Sequence, residues 1–398
     1  MDADRQSALR AAKLAALVRV AYATDGDRPA ARSALYPGGA ALVVVARPAG
    51  AGTVAAETTP DATGYVYADE RPLRSLGGAL AWAAQQGVAA LHLVVDDPEV
   101  AGHLARRATY FASPAVRVSA VDGRVLHPVE PAPAPVSAPQ PIGLDGFVEL
   151  IRRAGADPVV EHGVLSGEVY GLEVCRVVFG DADGDRGGDA DGDADADADD
   201  DDGDGDRGGV GAGPGLPHLE VGVGAADREM FRVMYGDPTA EQIVELVHRV
   251  SAHRRPGAEP HALNRLGAER RLRQRIIEDP TLVGARSLAV APSPLPRANL
   301  KDPVPCVAVG IDGDGASLVA VCASGVDLDA VPVGADARAI VRAGHADRAI
   351  VRAGRSAIAG GRPVVRLAIV TDERDRHPAL ARLAATLHEP AEVRPVRS

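Results

Sequence analysis

An ungapped internal match between the two ends of the chain constrains its fold more than any other feature. Leu93-Val-Val-Asp96, Leu104-Ala-Arg-Arg-Ala108 and Pro114-Ala115 recur as Ile369-Val-Thr-Asp372, Leu380-Ala-Arg-Leu-Ala384 and Pro390-Ala391, all at an offset of 276 residues. Each set reads as a strand, a helix and a second strand. Duplication and convergence on a common α/β solution both account for the match. On either account both ends close on the same α/β unit.

Two segments between the ends cannot contribute to a core. Pro128 to Pro141 holds six prolines in fourteen residues and reads as an extended linker. Residues 180–215 are built from Asp, Gly and Ala with no apolar period, so they bury too little surface to offset their ordering entropy and read as a disordered insertion between two strands. The expected organisation is an N-terminal α/β domain over residues 1–127, the linker over 128–141, and a C-terminal α/β domain over 142–398 that carries the insertion. The expected class is α/β with two lobes, each a mixed sheet flanked by helices.

The N-terminal region reads as a helix from Ala8 to Tyr22 and strands at Ala41–Ala46, Thr53–Thr58 and Gly64–Ala68. A helix Leu73–Gln86 follows, then a buried strand Val88–Val95, a helix opened by Asp97-Pro98, and a strand Ala115–Val121. Beyond the linker come a helix Leu144–Ala154, strands around Pro158–Val160 and over Glu168–Val177, and a strand at Leu219–Val223. Helices are expected at Ala226–Met234, Thr239–Ala252 and Ala262–Ile277, the last broken at Asp279-Pro280. Val304–Val309 and Leu318–Cys322 flank Asp312-Gly-Asp-Gly315 and predict a hairpin. A helix follows Gly325, and Val364–Thr371 returns as a strand. The direct repeat of Arg338–Gly344 as Arg348–Gly354 fits a tolerant exposed helix or loop.

The order of helix, three strands, helix and strand, seen both before Val121 and from Asn264 onward, resembles the core of the restriction-endonuclease-like (PD-(D/E)XK) nucleases. That resemblance implies a carboxylate on the second strand and a Glu-x-Lys on the third, holding a divalent metal and polarising the attacking water. Here those places fall at Pro305 or Cys306 and at Val321-Cys-Ala323, and the only lysines in the chain are Lys13 and Lys301. The resemblance therefore implies a degenerate site. The chain as a whole also resembles a conserved actinobacterial protein family, a likeness that implies no activity.

The best set of acids is Glu149 on a helix with Glu173 and Glu220 on strands. It resembles a nuclease site whose lysine place is taken by Gly222. These three are the candidate catalytic residues if the protein is an active nuclease, and Mg²⁺ is then the implied cofactor; otherwise no cofactor is expected. From His248 to Arg275 eight arginines face only Glu259 and Glu269. Arg254, Arg255, Arg265, Arg270, Arg271, Arg273 and Arg275 are the candidate phosphate contacts within this stretch, weighed against pairing inside the protein. Asp181-Ala-Asp-Gly-Asp185 lacks the glycine and glutamate of a calcium loop. Gly222-Val-Gly224-Ala-Ala-Asp227 has an acid where a dinucleotide fingerprint has its third glycine, so it reads as a tight turn.

Charge and cysteines narrow the rest. The formal charge of −12 is accounted for by the fourteen Asp and two Arg of residues 181–207, leaving 41 basic and 41 acidic residues elsewhere, so the body is neutral. Cys175, Cys306 and Cys322 sit in apolar runs without metal-ligand spacing and read as buried thiols of a reducing compartment. The first helix is interrupted by Arg10, Lys13 and Arg19, and no stretch is long and apolar enough for a membrane span. A cytoplasmic location without membrane contact is expected. The expected role is a non-catalytic nuclease-like protein binding DNA or a protein partner. The alternatives are an active metal-dependent nuclease and a scaffold with no nucleic-acid role.

Overall fold

A computed structural model describes residues 3–22, 30–34, 36–37, 39–45, 62–134, 141–179, 216–297, 300–353 and 364–397. The expected strand Thr53–Thr58, the insertion 180–215 and residues 135–140 of the proline linker lie outside them.

In chain order, the first block is α1 (Ala3–Ala21), β1 (Ala30–Ala34), β2 (Gly39–Val45), β3 (Ala62–Ala68), α2 (Leu76–Gln86), β4 (Ala90–Val95), α3 (Pro98–Ala108), β5 (Ala115–Asp122) and β6 (Val125–Pro128). The second is α4 (Asp145–Arg153), β7 (Asp157–Glu161), β8 (Val164–Val169), β9 (Leu172–Phe179), β10 (Pro217–Val221), α5 (Ala225–Tyr235), α6 (Ala240–Arg254) and α7 (Ala268–Glu278). The third is β11 (Ala285–Ala291), β12 (Cys306–Asp312), β13 (Ser317–Ala323), α8 (Ala330–Ala353), β14 (Val365–Asp372), α9 (Pro378–Ala385) and β15 (Glu392–Val396).

These elements build three sheets, where two were expected, and two compact units. The first unit comprises residues 1–137, 276–295 and 305–398; the second comprises 138–275 and 296–304. This division departs from the lobes drawn from the sequence, because the C-terminal strands share a core with the N-terminal ones. Val66, Leu93 and Val118 of the first sheet and Val319, Val321 and Ile369 of the other belong to one cluster with residues of α2, α3, α8 and α9.

Within the first unit the two sheets have the same connectivity. In β1 to β5 and in β11 to β15 the first two pairings are antiparallel and the next two parallel. A helix crosses over between the third and fourth strands and another between the fourth and fifth. The matched strings at offset 276 fall on β4, on α3 and at the start of β5, and on β14, on α9 and just before β15. The structural repeat thus extends well beyond the residues that betray it. Alternation along β2 sends Ala41 and Val43 into the shared core and Ala40, Leu42 and Val44 onto α1, where they meet Leu14, Leu17 and Val18. The expected hairpin is present as β12 and β13, with Cys306 opposite Cys322. Asp97 caps α3 as its sequence suggests, its side chain accepting from Glu99 N at 2.8 Å. The first copy of the repeat, expected as an exposed helix or loop, lies on α8: Arg338 is buried, Ala339 to Arg342 are half-buried, and Ala343 and Gly344 are exposed.

The second unit is a four-stranded antiparallel sheet, in the order β10, β9, β8, β7, with its own core around Ile151, Leu172, Val174 and Ile243. The run Glu168–Val177, expected as one strand, is a hairpin that turns at Tyr170-Gly171, where both residues have positive φ. The helix expected over Ala262–Ile277 is a 3-10 turn, Ala262–Arg265, then α7, separated at Gly267 with φ 55°. Gly222 has φ 148°, and a Cβ there would lie 2.6 Å from Arg228 N, so the strand-to-helix turn needs its glycine. No helix among the described residues is long and apolar enough to cross a membrane.

Candidate functional site

The arginines of the 248–275 segment divide by what lies beneath them. On α7 the apolar Leu272 and Ile276 face inward, and a helix places Glu269 and Arg273 on that same side. Arg270 and Arg273 are consequently buried and meet Glu161 of β7 and Glu168 of β8. Each guanidinium bridges both carboxylates, giving a ring of two positive and two negative charges in which each group is satisfied by its opposites. Burial opposes the charge of Glu161, but Arg273 and Arg270 outweigh it and hold the carboxyl below the usual range. Burial raises Glu269 above its ordinary value.

Arg254, the last residue of α6, is fully buried and binds only backbone. It donates to the carbonyls of Leu263, Leu266 and Gly267 in the irregular stretch before α7 and to that of Tyr170 in the turn between β8 and β9. Burial, reinforced by Arg271, lowers its pKa to about 10. Arg254, Arg270 and Arg273, three of the candidate phosphate contacts, are thus buried and bonded to groups of the protein itself. Arg255, Arg265 and Arg275 are exposed, Arg271 is half-buried, and Arg249 is exposed and pairs with Glu245 one turn away.

The three candidate acids are not treated alike. Glu173 on β9 and Glu220 on β10 converge on one residue, Arg228 of α5, at 3.1 and 3.4 Å, and Glu220 also meets Arg176 at 2.9 Å. Arg228 is buried. Glu149 is exposed on α4 and faces Arg153 at 3.9 Å on its own helix. Among the described residues no group of three or more His, Cys, Asp or Glu could hold a metal ion, so the acids do not gather into a ligand set. The places that the nuclease resemblance assigned to the C-terminal strands, Cys306 and Val321 to Ala323, are buried core. Cys175 is also buried, which pushes its thiol up to about 12.

Two features were not legible in advance. One is Arg228, whose position one turn into α5 does not reveal that it serves two strands. The other is the outer face of α5. Met230, Val233, Met234 and Tyr235 are 62, 78, 62 and 55 % exposed, while Phe231 turns in toward the core of the second unit. Met230, Val233 and Met234 follow the i, i+3, i+4 spacing of a single helix face. Met230 and Met234 are two of only three methionines in the chain, a concentration that could have drawn attention to this helix.

No family model, no curated protein and no solved structure matches the chain.

Proposed function

We propose that the protein is a non-catalytic, nuclease-like binding protein whose partner is a protein presenting a basic amphipathic helix to α5. The observation that carries the proposal is the exposed apolar face of that helix. Unbranched methionine side chains adapt to a partner's surface at little conformational cost, and a contiguous apolar face on a soluble protein marks an interaction site. The exposed charges along and just beyond this helix are Asp227, Glu229 and Asp237 against Arg232, so the complementary helix is basic. The absence of catalysis is supported by the pairing of Glu173 and Glu220 with Arg228, which a metal would have to displace. On this reading no cofactor is required; Mg²⁺ belongs to the alternative of an active nuclease.

A direct test titrates the full chain into a fluorescent model helix built of Leu and Lys and follows anisotropy. Saturable binding is expected, weakened at least about tenfold by Met230→Ser, Val233→Ser and Met234→Ser together, since each removes exposed apolar area without touching the core. Equal binding by that variant overturns the proposal. So does self-association of the wild type that the same substitutions abolish, because a second copy would then cover the face. A second reading, binding of DNA, is favoured by the exposure of Arg255, Arg265 and Arg275. It gains the lead if the chain binds duplex and ignores the peptide.

A further inference from the structure

The repeated connectivity of the first unit allows its two halves to be compared position by position. Ser75 precedes α2 and Asp329 precedes α8, and their carbonyls accept from Ala79 N and Val333 N, four residues on, at 2.9 and 3.1 Å. Seven residues beyond these caps stand Trp82 in one half and Asp336 in the other. By the offset of 276, Arg106 and Arg107 of α3 correspond to Arg382 and Leu383 of α9.

The two equivalent places are completed differently. Where α3 meets α8, the Asp336 carboxylate is fully buried and accepts from Arg106 Nε and Nη2, both at 3.1 Å, and from Arg107 Nε at 2.6 Å. That junction is closed by a charge-assisted network. Where α2 meets α9 there is no acid. A cavity of about 830 Å³ opens instead, with Leu80, Leu383 and Pro114 among its walls and Arg382 and His377 exposed along it. Trp82 lines the cavity and is 6 % exposed, and its indole Nε1–H finds no acceptor among the described residues. A buried donor without an acceptor costs free energy that a bound acceptor restores. No Asp or Glu lines this cavity, although Arg74 and Arg382 do.

We propose that this cavity binds a small organic carboxylate with an apolar body. Its carboxylate takes the role beside Arg382 and Trp82 that Asp336 plays beside Arg106 and Arg107. The apolar walls hold the rest of the molecule, as in ligand pockets of this size. Arg74, also on the wall, pairs with Asp327 at 2.8 Å, so a carboxylate beside Arg382 and one neutral N–H suits the cavity better than a phosphate, which carries more charge than Arg382 neutralises.

Trp82 is the only tryptophan in the chain, so its emission reports on the cavity directly. The probe is phenylacetate, compared with the neutral phenylacetamide, titrated into the full chain with tryptophan excitation. A saturable change in emission is expected with phenylacetate, and about tenfold weaker binding of the amide, the lower end of what one charge-assisted hydrogen bond contributes. Arg382→Gln should weaken phenylacetate by a similar factor and leave phenylacetamide unchanged, with the melting curve preserved because Arg382 is exposed. No saturable change, equal binding of acid and amide, or an Arg382→Gln variant that binds phenylacetate as the wild type does would each overturn the proposal. The acid and amide comparison in the wild type decides the matter even if the variant fails to fold.

Discussion

Arg273 donates through Nη2 to Glu168 Oε2 at 3.0 Å, with side chains 1 and 3 % exposed. The contact joins α7 to β8 across more than a hundred residues of sequence and accounts for a guanidinium in a place that looks like part of a basic surface. Removing one partner leaves the ring with one unbalanced buried charge. Arg273→Met or Glu168→Gln alone should therefore cost ~3–5 kcal/mol. Combining the two changes should cost less than the sum of the two, because Arg270 and Glu161 remain as a balanced pair. Urea unfolding of the two single variants and the double variant measures this; additive losses would mean that the ring is not coupled.

Asp336 is a sharper case, since one carboxylate serves two guanidiniums. Asp336→Asn keeps the shape and removes the charge, so two buried cations are left facing an amide. A loss of ~3 kcal/mol or more is expected, read from thermal or urea unfolding. A loss under ~1 kcal/mol, the scale of a surface ion pair, would show that the junction of α3 and α8 is wet.

Asp329 makes stability depend on pH. Burial first, and then the neighbouring Asp327, push its carboxyl up to about 7, against the hydrogen bond from Gly77 N and the charges of Arg107 and Arg74. Because the folded pKa lies above that of the unfolded chain, its contribution is fully present below about pH 4. It is lost as the pH rises through about 7, to an extent on the order of 4 kcal/mol for a fully buried group. Asp329→Asn keeps the acceptor for Gly77 N and removes the titration. The variant should match the wild type in melting temperature near pH 4 and exceed it at pH 8; a difference that does not change with pH would contradict this.

If the chain binds duplex DNA at all, the exposed arginines carry it. Replacing Arg255, Arg265 and Arg275 by Ala should then lower the log–log salt slope by up to about 0.9 for each phosphate that is no longer neutralised, with little change in stability. Arg254→Ala and Arg270→Ala should instead unfold the second unit before they alter the slope, because those side chains hold backbone carbonyls and buried carboxylates. Anisotropy at several salt concentrations, alongside melting curves, separates the two groups.

The extent to which sequence foretells structure follows the range of the forces involved. The hairpin of β12 and β13, the cap at Asp97 and the crossovers flanked by apolar strands rest on local pattern, and they are present as expected. The hairpin turn at Tyr170-Gly171 escapes that pattern because apolar residues continue through it, and only the glycine marks the turn. The fate of Arg270 and Arg273 is half legible. Leu272 and Ile276 define the inner face of α7, and Arg273 falls on that face by helical spacing. That an inward arginine would find Glu161 and Glu168 depends on pairing a hundred residues away, which no local pattern encodes. The sharing of one core by two sheets is non-local for the same reason, and only the matched strings at offset 276 hint at it.

The most direct test of the central claim, that the acids resembling a nuclease site are committed to arginines and catalyse nothing, is a cleavage assay. Purified full chain is incubated with single- and double-stranded DNA in Mg²⁺ or Mn²⁺. The account predicts no metal-dependent cleavage by the wild type, because Arg228 and Arg176 already pair with Glu173 and Glu220, and Glu149 stands on an exposed helix face. Reproducible cleavage that Glu173→Ala or Glu220→Ala abolishes would contradict it.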